Sequence, residues 1–537
     1  MRKLILAAAA AAFLAVPAAA QEPPPPKLLV VIAVDQFSAD LFDEYRPQFT
    51  GGLARLAQGT VFHNGYQAHA NTETCPGHST ILTGDHPART GIVGNSWIDQ
   101  SVQRPDKVIY CAEDESAPGS DHKHYKLSPA HLRVPTLGEL MKARWPASRD
   151  VAVAGKDRAA VMMSGDRPDQ LWYWDGRQFV TDLAAAPPPS IAATNAAVAR
   201  MIAAPSAALQ SPPFCSARAQ AIPVEGHAPV GAGNFARSAG DAQAFEISPE
   251  FDAAILAAAA GLTRDLRLGQ GDAPDVLSIG LSATDYVGHD YGTEGQEMCL
   301  NLFELDRELG DFLSYLDSTG VDYAVALTAD HGGQDLPERL RLHGVADAQR
   351  VDPALAASAV GKSIGAKLGL SGPVLLGDVS GDMYVDRSLS PADRARVLDS
   401  AVRFYRAQPQ VAAVFTRDEL EQTPIPATTP DKWSLIERAR ASFDPRRSGD
   451  FVVLLKEHVT PIGHVTTSVA THGSPWDYDR RVPILFWRPG FRGAMVNAPV
   501  DTVDIMPTLA ALIELPLAPG SVDGHCLEGT PAFCPQR

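Results

Sequence analysis

No C-x-x-C pair occurs in the 537-residue chain, which excludes zinc-ribbon chemistry. No Lys/Arg run or basic patch relieves the formal charge of -17, so no nucleic-acid-binding surface is expected. No apolar run reaches the roughly 20 residues of a membrane span, and no internal repeat is visible. What is present, 45% hydrophobic and 20% charged residues, is ordinary for a globular protein. The length suits a large core, arranged as a main domain with insertions. An anionic substrate would need a local cationic site in so acidic a chain, and metal ions are the obvious source.

Residues 1–20 read as an export signal. Arg2-Lys3 is the charged start, Leu4 to Val16 the apolar stretch, and Pro17-Ala18-Ala19-Ala20 an A-x-A cleavage site before Gln21. The expected location is the periplasm or the medium, with no stable membrane span after cleavage. Residues 21–27, carrying the Pro23 to Pro26 run, are expected to form an extended tether before a domain over 28–537. An exported chain can oxidise its six cysteines, Cys75, Cys111, Cys215, Cys299, Cys526 and Cys534. Cys526 and Cys534 are close enough in sequence to staple the C-terminal tail.

Apolar β-branched runs recur at Leu28 to Val34, Val151 to Ala154, Val276 to Leu281, Tyr323 to Thr328, Phe451 to Leu455 and Pro483 to Trp487. Helical patterns lie between them, at Thr136 to Arg144, Glu297 to Leu316 and Val503 to Ile513. Continuous apolar strands alternating with helices predict an α/β fold, a mostly parallel sheet covered on both faces. Two stretches break the pattern. Residues 187–245, rich in Ala, Pro, Gly and Ser, are expected to be a loop-rich insertion, and 352–429 a smaller lobe.

Three short segments make sense only together: Thr284-Asp285-Tyr286-Val287-Gly288-His289, Asp330-His331-Gly332-Gly333 and Thr471-His472-Gly473. Aspartate oxygen and imidazole nitrogen are ligands that zinc accepts, and five of them exceed one tetrahedral site. Asp35, ending the first apolar run, is a sixth, so the count fits two neighbouring metal ions, the clamp used in phosphoryl transfer. Asp35, Lys156, Arg158, Asp285 and Asp330 all sit just past strand ends, where open α/β sheets bind ligands. Asn71 to Gly84 reads as a loop opening a helix near Pro76, which places Thr74 and the Cys75 N–H at a helix start, where anions bind. A metal-bound hydroxyl is an activated nucleophile.

Together with Gly91-Ile92-Val93-Gly94-Asn95 and Lys156-Asp157-Arg158, these segments resemble the alkaline phosphatase superfamily. The likeness runs from residue 35 to 472 in the family's order. It is greatest to the monomeric bacterial periplasmic alkaline phosphatases with a threonine nucleophile, with nucleotide pyrophosphatase/phosphodiesterases next. The resemblance implies two Zn2+ ions, one held by Asp285, His289 and His472, the other by Asp35, Asp330 and His331, with Thr74 the nucleophile and a metal contact. It implies that Asn95 hydrogen-bonds a phosphoryl oxygen and that Lys156 and Arg158 mark monoesterases, their charge matching a dianionic phosphate. Two residues apart, those cations are expected on an extended backbone that aims both the same way. The expected substrates are small-molecule phosphate monoesters, cleaved by a monomer through a phosphothreonine intermediate with net retention at phosphorus.

Three alternatives remain beside this reading. A phosphodiesterase or dual enzyme would use the same centre. A non-catalytic zinc- or phosphoanion-binding protein would lose a ligand or the nucleophile, and here both are intact. A sulfatase would need a C-x-P-x-R pattern, but Pro76 follows Cys75 directly and no Arg stands four places on. His78, His343 and His464 have no part in the scheme.

Overall fold

The computed structural model describes residues 24–183, 186–532 and 534. The expected signal peptide and residues 21–23 of the expected tether lie outside them. From Pro24 onward the tether is tied down: the Pro24 carbonyl accepts from Arg488 Nη2 at 2.6 Å, and Lys27 Nζ donates to the Asp272 carbonyl at 2.7 Å.

One mixed, ten-stranded sheet forms the frame. Its strands are β1 Leu28–Val34, β2 Thr60–Tyr66, β3 Asp150–Ala154, β4 Gln170–Trp174, β5 Phe179–Val180, β6 Asp275–Leu281, β7 Tyr323–Thr328, β8 Arg481–Trp487, β9 Met495–Val496 and β10 Val500–Asp501. Their order is β9-β2-β8-β7-β1-β6-β3-β4-β5, with β10 also on β2. The centre β7-β1-β6-β3-β4 is parallel throughout, while β8 runs against β7 and β2, and β5 against β4.

β1 is apolar at every position because both its faces are covered. Leu28, Val30, Ile32 and Val34 enter one core with the helices Pro249–Leu266 and Gln296–Ser318, whereas Leu29, Val31 and Ala33 enter another with Ile81, Leu82 and the helix Ile505–Leu512. The α/β expectation is met. β2 has no counterpart among the expected strands, because His63 and Asn64 interrupt its apolar run on a half-buried stretch.

Phe451–Leu455 lies outside the main sheet. It pairs antiparallel with Gly381–Val385 and Val411–Thr416 in a separate four-stranded sheet. With Leu375–Leu376 and the helices Ala357–Leu368 and Pro391–Arg406 this lobe has its own core around Ile364, Met383, Val397, Tyr405 and Val453. The expected boundary at 429 is therefore too early, since a central strand of the lobe comes after it. The 187–245 stretch is also more regular than its composition implied. It holds the helix Pro189–Ala203 and a hairpin of Ile222–Val224 with His227–Val230, and Cys215 is bonded to Cys299 of the long helix. Cys526 and Cys534 are bonded as expected, with S–S 2.07 Å. Among the described residues no helix is long and apolar enough to cross a membrane.

Candidate active site

Because β7, β1, β6 and β3 are parallel neighbours, their carboxyl ends open on one edge. Asp330 and His331 follow β7, and Asp35 follows β1. Lys156 follows β3 and caps the helix α1, Asp157–Ser164. Asp285 and His289 lie after β6 in the helix α2, Ala283–Tyr291, where their i,i+4 spacing puts them on one face. β8 runs the other way, so the loop preceding it brings His472 back to the same edge. Thr74 is the first residue of the helix Thr74–Thr83, which follows β2. That helix packs on the Asp330 turn, where a Cβ on Gly77 would lie 2.0 Å from the Asp330 carbonyl oxygen.

Two metal-capable clusters result. In the first, His289 Nε2 and His472 Nε2 lie 3.4 and 3.5 Å from Asp285 Oδ1. Each ring donates its other nitrogen to a carbonyl, His289 Nδ1 to Ala470 at 3.0 Å and His472 Nδ1 to Thr72 at 2.8 Å, which leaves Nε2 as the lone-pair side. The second gathers Asp35 and Asp330 around His78, at 3.3 Å from each. His331 stands beside it, with Nε2 3.1 Å from Asp330 Oδ2 and its ring stacked 3.6 Å from that of His472. Burial alone would raise the pKa of Asp285, but Lys156, then His289 and His472, hold it well below the usual carboxylate range. Burial works against charge on His78, yet Asp330 and Asp35 push its pKa up to about 10.

The donor set fits metal ions. Asp35 Oδ1, Asp330 Oδ2, His78 Nε2, His331 Nε2 and Thr74 Oγ1 are buried without a hydrogen-bond partner. The carboxylate and imidazole atoms among them face only one another, and such convergent oxygen and nitrogen atoms are what a divalent cation satisfies.

The residues expected to bind an anion are placed differently from expectation in two ways. Arg158 is helical, the second residue of α1, so it and Lys156 do not share an extended backbone. Lys156 caps that helix and reaches both clusters, with Nζ 3.0 Å from Asp35 Oδ2 and 2.5 Å from Asp285 Oδ2. Arg158 Nη1 donates to the Tyr110 hydroxyl at 3.5 Å, and the Tyr110 and Tyr125 hydroxyls donate to the Asp157 carboxylate at 2.7 and 2.6 Å. The Arg158 Nε is buried without a partner. Second, the Cys75 N–H is not free. It donates to Asn95 Oδ1 at 2.8 Å, because an amide carbonyl satisfies the open N–H of a first helical turn. Asn95 keeps its Nδ2 group without a protein partner, and its own N–H donates to Glu73 Oε2 at 2.6 Å.

Three features escaped the sequence reading. His78 is four residues after Thr74 on one helix, a spacing that could have flagged it. Glu73 holds the Asn95 loop. A Cys75–Cys111 disulfide ties the Thr74 helix to the strand Val108–Tyr110 region, and the Cys111 N–H donates to the Asn95 carbonyl at 2.9 Å.

Comparison with known proteins agrees with this geometry. The family model described as type I phosphodiesterase / nucleotide pyrophosphatase matches residues 29–475. The chain is 54% identical to the alkaline phosphatase PhoK of a Sphingomonas species over 93% of its length and 90% of that protein. It is 48% identical to the alkaline phosphatase PhoD of Zymomonas mobilis over 94% and 89%. The crystal structure of the alkaline phosphatase PafA superposes with a TM-score of 0.80 at 24% identity, covering 92% of this chain and 97% of that one, a likeness of fold. The chain belongs to the type I phosphodiesterase / nucleotide pyrophosphatase family, within the alkaline phosphatase superfamily.

Proposed function

We propose that this member of the family is an exported, monomeric, zinc-dependent alkaline phosphatase that hydrolyses phosphate monoesters through a phosphothreonine intermediate. The observation that carries this reading is the buried, unpartnered Thr74 hydroxyl at a helix start, on the sheet edge where both metal-capable clusters gather. High identity to proteins named alkaline phosphatases supports the reaction.

Asp285, His289 and His472 would hold one ion, and Asp35, Asp330 and His331 the other, with His78 beside them. Such ions lower the pKa of a hydroxyl and offset phosphoryl charge. Thr74 Oγ loses its proton and attacks phosphorus in line. The bond to the leaving oxygen breaks, and the alcohol departs from a phosphothreonine. Water then attacks phosphorus, the Thr74 Oγ–P bond breaks, and inorganic phosphate leaves. Two displacements give net retention. Asn95 Nδ2, Lys156 and Arg158 are the donors for the equatorial oxygens.

The family model is named for phosphodiesterases, so diester cleavage is the second reading. It is separated from the first by kcat/KM for p-nitrophenyl phosphate and bis-p-nitrophenyl phosphate. Lys156→Ala is expected to depress the monoester about 10- to 100-fold more than the diester, the worth of one charged hydrogen bond. Equal falls would remove the monoester assignment. Thr74→Ala is expected to abolish phosphate labelling of the protein, and persistent labelling would exclude Thr74 as nucleophile.

A further inference from the structure

Gln36 follows the ligand Asp35 and lies in the left-handed region, with φ of 63°, a conformation that costs a residue with a long side chain. It is 1% exposed. Its backbone N–H donates to Asp330 Oδ1 at 3.1 Å, and its side-chain Nε2 donates to Asp285 Oδ1 at 3.1 Å. One residue thus grips a carboxylate in each cluster while joined by a peptide bond to a third ligand.

The surroundings are cut to fit it. A Cβ on Gly288, between Asp285 and His289 in α2, would fall 1.6 Å from Gln36 Oε1. A Cβ on Gly333, in the turn after His331, would fall 2.8 Å from Gln36 Cδ. The side chain therefore passes between the two elements that carry the ligands, in space only glycine leaves open. On Asp330 the bond to Oδ1 leaves Oδ2 facing His78 and His331, and on Asp285 it holds Oδ1 itself, the oxygen nearest His289 and His472. Such outer partners are worth about 10–100-fold in metal affinity.

We propose that Gln36 is a positioning residue that couples the two metal sites, orienting Asp285 through its side chain and Asp330 through its backbone. This rests on the metal-dependent reading above. The strained backbone is the means of making both bonds at once, since it turns the N–H toward one cluster and the side chain toward the other.

The test is zinc binding to the full-length mature protein, stripped with chelator and followed by calorimetry and metal analysis. Gln36→Gly keeps the left-handed backbone and the N–H to Asp330 but removes the amide to Asp285. It is expected to raise the zinc dissociation constant of one equivalent about 10–100-fold and leave the other near wild type. Gln36→Met, of similar length but with neither donor nor charge, is expected to do the same. A purely structural role would lower the melting temperature of the stripped protein without moving the isotherm, and would overturn the proposal. Isotherms matching wild type in both variants, or failure of both to fold, would overturn it too. A wild-type protein that takes up no zinc would overturn the proposed function itself, and this inference with it.

Discussion

The two metal-capable clusters use the same ligand types and meet solvent differently. The side chains of Asp35, His78 and Asp330 are 0% exposed, while His289 is 22% and His472 8% exposed. The inner cluster sits under the Thr74 helix, with strand ends around it. The outer one is assembled from α2 and a returning loop at the mouth. Identical chemistry is therefore set in two dielectric surroundings. The inner group is closed off from solvent by the fold, and the outer one reaches solvent through His289.

The largest break in this comparison is expected from deleting an imidazole on each side. His78→Ala removes the imidazole set between two buried carboxylates, leaving Asp35 only Lys156 and Asp330 only His331 as charge partners, and is expected to destabilise the metal-free protein by about 3–5 kcal/mol. His289→Ala, at the mouth, is expected to cost under about 1 kcal/mol while removing a ligand. Urea melts of stripped protein read both. Equal losses would show that burial does not distinguish the clusters.

Next is Cys111→Ser, which frees the Thr74 helix that roofs the inner cluster. Opening a loop with a sequence separation of 36 residues is expected to cost about 3–4 kcal/mol. It should also lower kcat more than it raises KM, because Thr74 and Asn95 lose their common anchor. A variant with wild-type kcat would show that the bond serves stability alone.

The smallest effect is on pH response, where one imidazole from each cluster carries opposite signs. His78, with its folded pKa raised to about 10, gives stability that is full below its unfolded value and lost as pH rises toward 10. His472 is lowered, by burial first and then by His331, so it gives stability that is present at high pH and lost as pH falls below its unfolded value. The melting temperature of metal-free protein is expected to decline on both flanks. His472→Gln should flatten the acid flank only, and a change on the alkaline flank would contradict the assignment.

Much of this site was legible because its residues come in short runs directly after apolar strands. Asp35 after β1 and Asp330-His331 after β7 needed only the rule that strand ends bear function. The helical i,i+4 pair Asp285/His289 was readable for the same reason. What stayed hidden depends on partners distant in sequence. Phe451–Leu455 looks like any core strand until its neighbours are known. Nothing near Cys111 announces that it meets Cys75. Lys156 reads as a cation for phosphate, but its depth between two carboxylates follows from the order of β1, β6 and β3. Arg158 was expected on an extended backbone because the apolar pattern does not show that Asp157 already begins a helix.

The bond between Cys75 and Cys111 sits one residue from Thr74 and joins its helix to the Asn95 loop. The proposed reaction therefore runs through a covalent loop that only oxidised thiols close, so under the proposed function a thiol reductant is expected to lower activity as well as stability.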